Sequence, residues 1–433
     1  MTQATRTAPP GTAPQPSWAA RAVPGQVLPG NEIVPGREIP QQLSRLRWVS
    51  VIVVLAVAAL TAMQLILAGG SLQTAARDTA QLVRVQNIKV HLLRADALAT
   101  NAFLIGGLEA PEQRARYEES LTAVSRGIAE AAQAQPLDRD VLVELNGVVV
   151  RYAEGMAQAR ANNRQGLPVG AGYLRASSAE LRERGVVLVD ALVEANTARA
   201  DRSLGAHVPV LVVLPAIAAL IVLGIINQWI ARRFRRRINT GLAGAAAAIL
   251  AIGLAAFAVS AAQAGANSQL RSGDYATAVN GSEARSDANA AKTNESLRLV
   301  ARGSGQAYET AWGTFSSEVD SALEAPELGG APKADWAAYV AGHQEVVKLD
   351  SSGDWDGAVR VATDRADGSA TTHFAAFDAG MEDLITQAAA KTSTVLRSAS
   401  PAFLTVTIAT IVGGLAAAGL AWRGVTARLK EYA

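Results

Sequence analysis

The sequence contains no cysteine. That excludes disulfides, thiolate metal sites and a lipid-anchoring cysteine, so any water-exposed domain depends on packing alone. Aromatic residues are scarce at 5%, and strand-type runs are absent, which disfavours sandwiches and barrels. The four histidines, His91, His207, His343 and His373, show no metal-ligand spacing. No Gly-rich phosphate loop follows a strand, and no serine, histidine and carboxylate group can be assembled from spacing. An enzyme, a metal and a cofactor are therefore not expected. The net charge of +2 is too small to argue for nucleic acid.

The composition is 50% hydrophobic and 18% charged over 433 residues, too apolar for a wholly water-soluble chain and too polar for a multi-span transporter. Four apolar runs, 49–68, 208–226, 242–262 and 402–421, carry no Asp, Glu, Lys or Arg. Each can cross a hydrocarbon core of about 30 Å. Transport proteins usually place ionisable groups at membrane depth, so these spans count against transport. Small residues, Gly241, Gly244 and Ala248 in one span and Gly414 and Ala418 in another, suit close helix packing.

Orientation is set by position of charge. Arg232, Arg233, Arg235, Arg236 and Arg237 stand between the second and third spans, and short cytoplasmic loops collect such residues. Trp48, Trp229 and Trp422 fall at the same ends of their spans, where indole rings favour the interface. Both termini are expected inside a plasma membrane and both large regions outside. The basic loop is expected to meet lipid headgroups.

The predicted order is a Pro-rich disordered cytoplasmic tail (1–44), a first unit (45–231), the basic loop (232–237), a second unit (238–422) and a short tail (423–433). Residues 70–206 read as helices at 70–106, 111–134, 137–163 and 169–206, separated by Gly106-Gly107, Gln135-Pro136 and Gly166-Leu167-Pro168. Four such helices form an antiparallel bundle, and 263–400 reads as a second helical ectodomain. The units echo each other. Pro209 and Pro401 lie 192 residues apart, Thr100-Asn101 matches Thr293-Asn294, Tyr117-Glu118 matches Tyr308-Glu309, and Tyr152-x-x-Gly155 matches Tyr339-x-x-Gly342. The fold class is all-α, with four spans and two internally duplicated bundles. Two Ser-Gly-Asp-aromatic turns, at Asp274 and Asp354, are expected as helix caps.

Candidate ligand- or partner-binding residues are Arg94, Asp96 and Asn101 toward the outer end of the first bundle helix, and Asn162, Asn163 and Arg164 at the end of the third. Asp287, Asn294 and Arg298 hold similar places in the second unit. Arginine is the natural partner of a carboxylate. Solvated helix ends are the plainer reading of the same residues.

Each unit resembles the sensory module of bacterial chemoreceptors and sensor kinases, but with no cytoplasmic output domain. The tandem arrangement, with the segments 95–104 (Ala-Asp-Ala-Leu-Ala-Thr-Asn-Ala-Phe-Leu) and 162–170 (Asn-Asn-Arg-Gln-Gly-Leu-Pro-Val-Gly), resembles the GlnX-type tetraspanning component of an actinobacterial amino-acid-sensing system. The resemblance implies a non-enzymatic transmembrane relay. Its expected partners are an extracytoplasmic amino-acid-binding lipoprotein and a cytoplasmic protein kinase G. A direct small-molecule sensor and a structural scaffold or transporter accessory remain open, as does self-association into a homo-oligomer.

Overall fold

A computed structural model describes residues 38–106, 109–205, 208–234 and 239–429. Among these residues the chain is helical, with no strand. The helices are α1 (Glu38–Ile105), α2 (Pro111–Ala134), α3 (Arg139–Arg164), α4 (Val169–Glu180), α5 (Val187–Gly205) and α6 (Val210–Phe234) in the first half. The second half holds α7 (Thr240–Ser272), α8 (Asp274–Val300), α9 (Gln306–Leu323), α10 (Lys333–Ser351), α11 (Trp355–Thr363), α12 (Ala370–Ser398) and α13 (Ser400–Leu429). A π-helical turn, Leu181–Val186, joins α4 to α5, so the expected single helix over 169–206 carries a bulge.

Four stretches are long and apolar enough to cross a membrane. They form one cluster in which α1 packs between α13 and α6, and α7 packs between the same two. Outward-facing residues such as Ile66, Ile221 and Leu415 are exposed, as hydrocarbon-solvated faces would be. Small residues set the spacing. A Cβ on Gly241 would collide with Gly424, and one on Gly414 with Ala58. Pro215 lies inside α6 and cannot donate to the Leu211 carbonyl one turn back. The Gln64 side chain of α1 supplies that missing bond at 3.2 Å, which keeps a polar group satisfied in an apolar setting.

A disordered tail is expected through residue 44, but α1 begins at Glu38. Leu43 is fully buried against a cluster containing Ile230 and Val425, and that burial holds the first turns of the helix. Residues 1–37 and the arginines at 235–237 lie outside the described residues, as does His207. Arg232 is an exposed residue near the end of α6. Trp48 and Trp422 meet edge to face with centroids 5.2 Å apart, and Arg47 stacks 4.1 Å over Trp422. Trp229 stands apart from this pair, partly exposed on α6.

In the first bundle, α1 packs on α2 and α5, and α3 on α2 and α4. The core is aliphatic, with Leu92, Leu142, Leu145, Val148 and Leu181 fully buried. In the second, α8 packs on α9 and α12, and α10 on α11 and α12. The Tyr-x-x-Gly echo has one structural reason in both. Tyr152 and Tyr339 are fully buried. A Cβ on Gly155 would collide with Ser177, and one on Gly342 with Ala370, so these glycines let α3 close on α4 and α10 on α12. Of the two Ser-Gly-Asp turns, only Asp354 caps a helix, accepting from Gly357 N at 2.8 Å. Asp274 is instead the first residue of α8, after Gly273, and makes no cap bond.

The two bundles lie against each other along α1 and α8, whose paired positions advance in parallel away from the spans. Gln86 donates to the Val279 carbonyl at 3.2 Å, and Lys89 to Glu283 at 2.7 Å. These pairs are 193 and 194 residues apart, close to the 192 between Pro209 and Pro401.

Candidate functional site: a cationic pocket between the bundles

A pocket of about 300 Å³ opens in the part of this seam far from the spans. Arg94, Leu98 and Asn101 reach it from α1, and Gln113 and Arg116 from α2. Asn289 and Lys292 come from α8, Arg365 from the turn after α11, and Phe374 and Asp378 from α12. The stretch of α1 from Arg94 to Asn101 spans about two turns, so residues at this spacing share a face; Arg94 and Asn101 do both line the cavity.

Four cationic side chains face one lining carboxylate. Asp378 is already claimed by Arg285 at 2.7 and 3.0 Å, by Asn289 at 3.0 Å and by Arg94 at 3.4 Å. Burial would raise this carboxyl, but the Arg285 pairing outweighs it and holds Asp378 below the ordinary carboxylate range. Lys292 is tied to Glu295 at 2.5 Å and to the Ala362 carbonyl at 3.2 Å. Arg365 donates to the Gln113 amide oxygen, and Asn101 donates to the Ala362 carbonyl at 3.1 Å. Among the described residues, Arg116 and Arg365 meet no carboxylate. Asn289 is 1% exposed, yet its Oδ1 has no donor. Such a surplus of cationic donors with one free buried acceptor suits a small anion that also carries a donor.

Other candidates from the sequence fall elsewhere. Asp96 is no surface group. It is fully buried inside the first bundle, accepting from Ser178 at 2.6 Å and Tyr152 at 3.2 Å. Burial raises its pKa, and the hydrogen bond from Ser178 offsets this only in part. It faces the interior of the bundle, where these two hydroxyls satisfy the buried carboxyl. Asn294 is buried, accepting from Arg182 across the seam at 3.2 Å; the π turn carries Arg182. Arg298 is locked by Asp350 at 3.0 Å and Glu309 at 3.2 Å. Asp287 lies lower on the seam, where burial and then the Glu283 charge push it to about 7. Asn162 makes a local helix bond to Gln158. Asn163 and Arg164 line a different cavity at the end of the first bundle.

Arg116, Lys292 and Arg365 were not singled out by sequence. One signal was available for Lys292. From Asp274 to Val300, α8 is polar or small on nearly every face, yet most of it is buried. A polar helix that is buried all round must carry paired charges.

Residues 71–205 match the family model of the actinobacterial sensor domain. The match covers the outer part of α1 through α5, which is the first bundle and half of the pocket's wall. No curated protein and no solved structure matches the chain. A sensing or signalling role follows for a chain with four candidate spans, and the sensor-domain match supports a non-catalytic one.

Proposed function

We propose that the protein is a transmembrane sensor that receives a small carboxylate between its two bundles and transmits the event along two rods. The observation that carries this reading is where those rods meet. One is α1, unbroken from the pocket to Leu43, a distance of roughly 75 Å at 1.5 Å per residue. The other is α12, which carries Phe374 and Asp378 and passes through Ala399 into α13. The two rods pack again inside the span cluster and end in the Trp48–Trp422 pair. A ligand drawn between Arg94 and Arg116 on one side and Arg365 and α12 on the other pulls on both rods at their outer ends. Packed helices answer such a pull with shifts of about 1–2 Å. The ligand must bind the two arrangements with different affinity for any signal to pass.

In this reading both termini and the arginines at 232–237 face the cytoplasm of a plasma-membrane protein, supported by the charge bias. The inner ends report to a cytoplasmic partner, for which a protein kinase is the proposal. The GlnX-type resemblance favours a second input, a loaded extracytoplasmic binding lipoprotein docked on the outer turns. Isothermal titration of the full chain in lipid nanodiscs with succinate, glutamate and phosphate separates the two. The account expects a carboxylate to bind, at least tenfold more weakly when Arg116 and Arg365 are both replaced by Gln. Absence of binding by all three, with a lipoprotein recovered by crosslinking in membranes, would favour the docked-protein input.

A further inference from the structure

A second cavity of about 410 Å³ lies wholly within the first bundle, at its outer end, and takes no part in the pocket between the bundles. Its polar side is formed by Glu109, Arg114, Arg160, Asn163 and Arg164, and its apolar side by residues such as Phe103 and Ala157. Two side chains around it keep atoms without hydrogen bonds although those atoms are shielded from solvent. Both Nε and one Nη of Arg160 lack a well-aligned acceptor, and Oε1 of Glu109 lacks a donor. Arg160 stacks 3.9 Å over the Tyr117 ring and stands 3.4 Å from Glu109, close enough to attract but without a hydrogen bond. Arg164 at the rim is exposed, and Arg114 is occupied by Glu118 at 2.5 Å.

A buried polar atom left unpaired costs about 1–3 kcal/mol, and native structures rarely leave several together without a bound molecule or ordered water. The missing partners here have a definite chemistry. Arg160 wants an acceptor, best an anion, with the Arg164 charge nearby. Glu109 wants a donor. Because these two side chains are neighbours, the acceptor and the donor must sit side by side on one ligand. A carboxylate with a hydroxyl or an ammonium on the adjacent carbon provides this, and the wall of Phe103 and Ala157 accepts an aliphatic remainder. We propose that this cavity is a binding site for 2-hydroxy or 2-amino carboxylic acids with an apolar side chain.

This proposal does not depend on the inter-bundle reading, and its test keeps the two apart. Three isosteric probes, 4-methylpentanoate, 2-hydroxy-4-methylpentanoate and leucine, are titrated calorimetrically into the full chain in nanodiscs. The hydroxy or the amino acid is expected to bind at least tenfold tighter than the plain acid, and which of them does so names the donor. Glu109→Gln should remove that difference, and Arg160→Gln should weaken binding at least tenfold. Arg164→Ala, at an exposed position, should weaken it about threefold or more without changing the melting temperature, and it decides the matter if Arg160→Gln does not fold. Arg116→Gln should leave binding unchanged. Absence of binding by all three probes would mean that the cavity holds only water. Equal affinity for the three, or a loss seen in Arg116→Gln alone, would likewise overturn the proposal.

Discussion

The two bundles stand side by side with similar helix order, yet their cores are held together by different forces. Where α1 places Ala99, Ala102 and Ile105, the positions 193 residues later on α8 hold Lys292, Glu295 and Arg298. Where α3 buries Met156, α10 buries His343. In the first bundle the result is an aliphatic core with two buried carboxyls, Asp96 held by hydroxyls and Asp138 paired with Arg199 near one end. In the second, Glu295 joins Lys292 to His343 at 2.5 and 2.9 Å, and His343 stacks on Trp312 at 3.6 Å. An apolar core contributes through area buried and tolerates changes of pH. A paired-charge core is costly to desolvate and fails when one partner is removed. The charged core also supplies Lys292 to the pocket, so the second bundle is the one whose interior is coupled to the site.

The sharpest way to break this contrast is Asp378→Ala. It removes the two-point partner of Arg285, whose side chain is 4% exposed, leaving it only the more exposed Glu382 at 2.6 Å, and should cost roughly 3–5 kcal/mol. Thermal unfolding followed by hydrogen exchange should show the loss in α8 and α12 and leave α3 protected. Leu145→Ala, in the fully aliphatic core, should cost about 2–5 kcal/mol and should register in α3 and α5 instead. If either change destabilises both bundles alike, they do not behave as separate cores.

The pH dependence should also differ. Burial opposes the charge on His343, but hydrogen bonds to Glu295 and Glu309 win and raise its pKa. Its contribution is then complete below the unfolded value near 6.5 and is lost as pH rises through the higher folded value. Glu295 is pulled against its burial penalty to about 2 by Lys292 and His343. Its contribution is complete above the unfolded value of 4.5 and is lost as pH falls toward 2. Exchange protection of α10 should therefore decline on both sides of a plateau, and His343→Gln should remove the alkaline decline. The smallest effect is expected in the first bundle. Asp96 has a raised pKa, so its ionised form disfavours folding as pH rises. Asp96→Asn should leave stability within about 1 kcal/mol of the parent or slightly above it at neutral pH. A melting temperature that falls sharply would show that Asp96 is ionised and paired.

Most of the architecture was legible because it follows from period and punctuation. Apolar runs without charges gave the spans. Gly106, Pro111, Pro136 and Pro168 gave helix breaks, and α2 begins at Pro111 and ends at Ala134 as read. Arg94 and Asn101 were singled out because their spacing puts them on one helix face, and both line the cavity. Asp96, on the same helix, was misplaced because the pattern alone does not tell a buried, hydroxyl-bound carboxyl from an exposed one. Arg116 and Arg365 come from parts of the chain about 250 residues apart, and only the seam between the bundles brings them together. No local signal encodes that seam. It depends on how a polar face of α8 meets a polar face of α1.

The central claim is that the pocket and the inner tryptophan pair are two ends of the same two rods. The absence of cysteine allows spin-label pairs without removing native thiols. One pair at Glu119 and Ala366 spans the outer seam, and one at Arg45 and Arg423 spans the inner ends; all four positions are exposed. Double electron–electron resonance distances are then measured in nanodiscs with and without whichever of succinate or glutamate binds. The account predicts that saturating ligand shifts both distance distributions, by about 1–2 Å at the inner pair. Both shifts should vanish when Arg116 and Arg365 are replaced by Gln. Ligand bound at saturation with the inner distribution unchanged would contradict it.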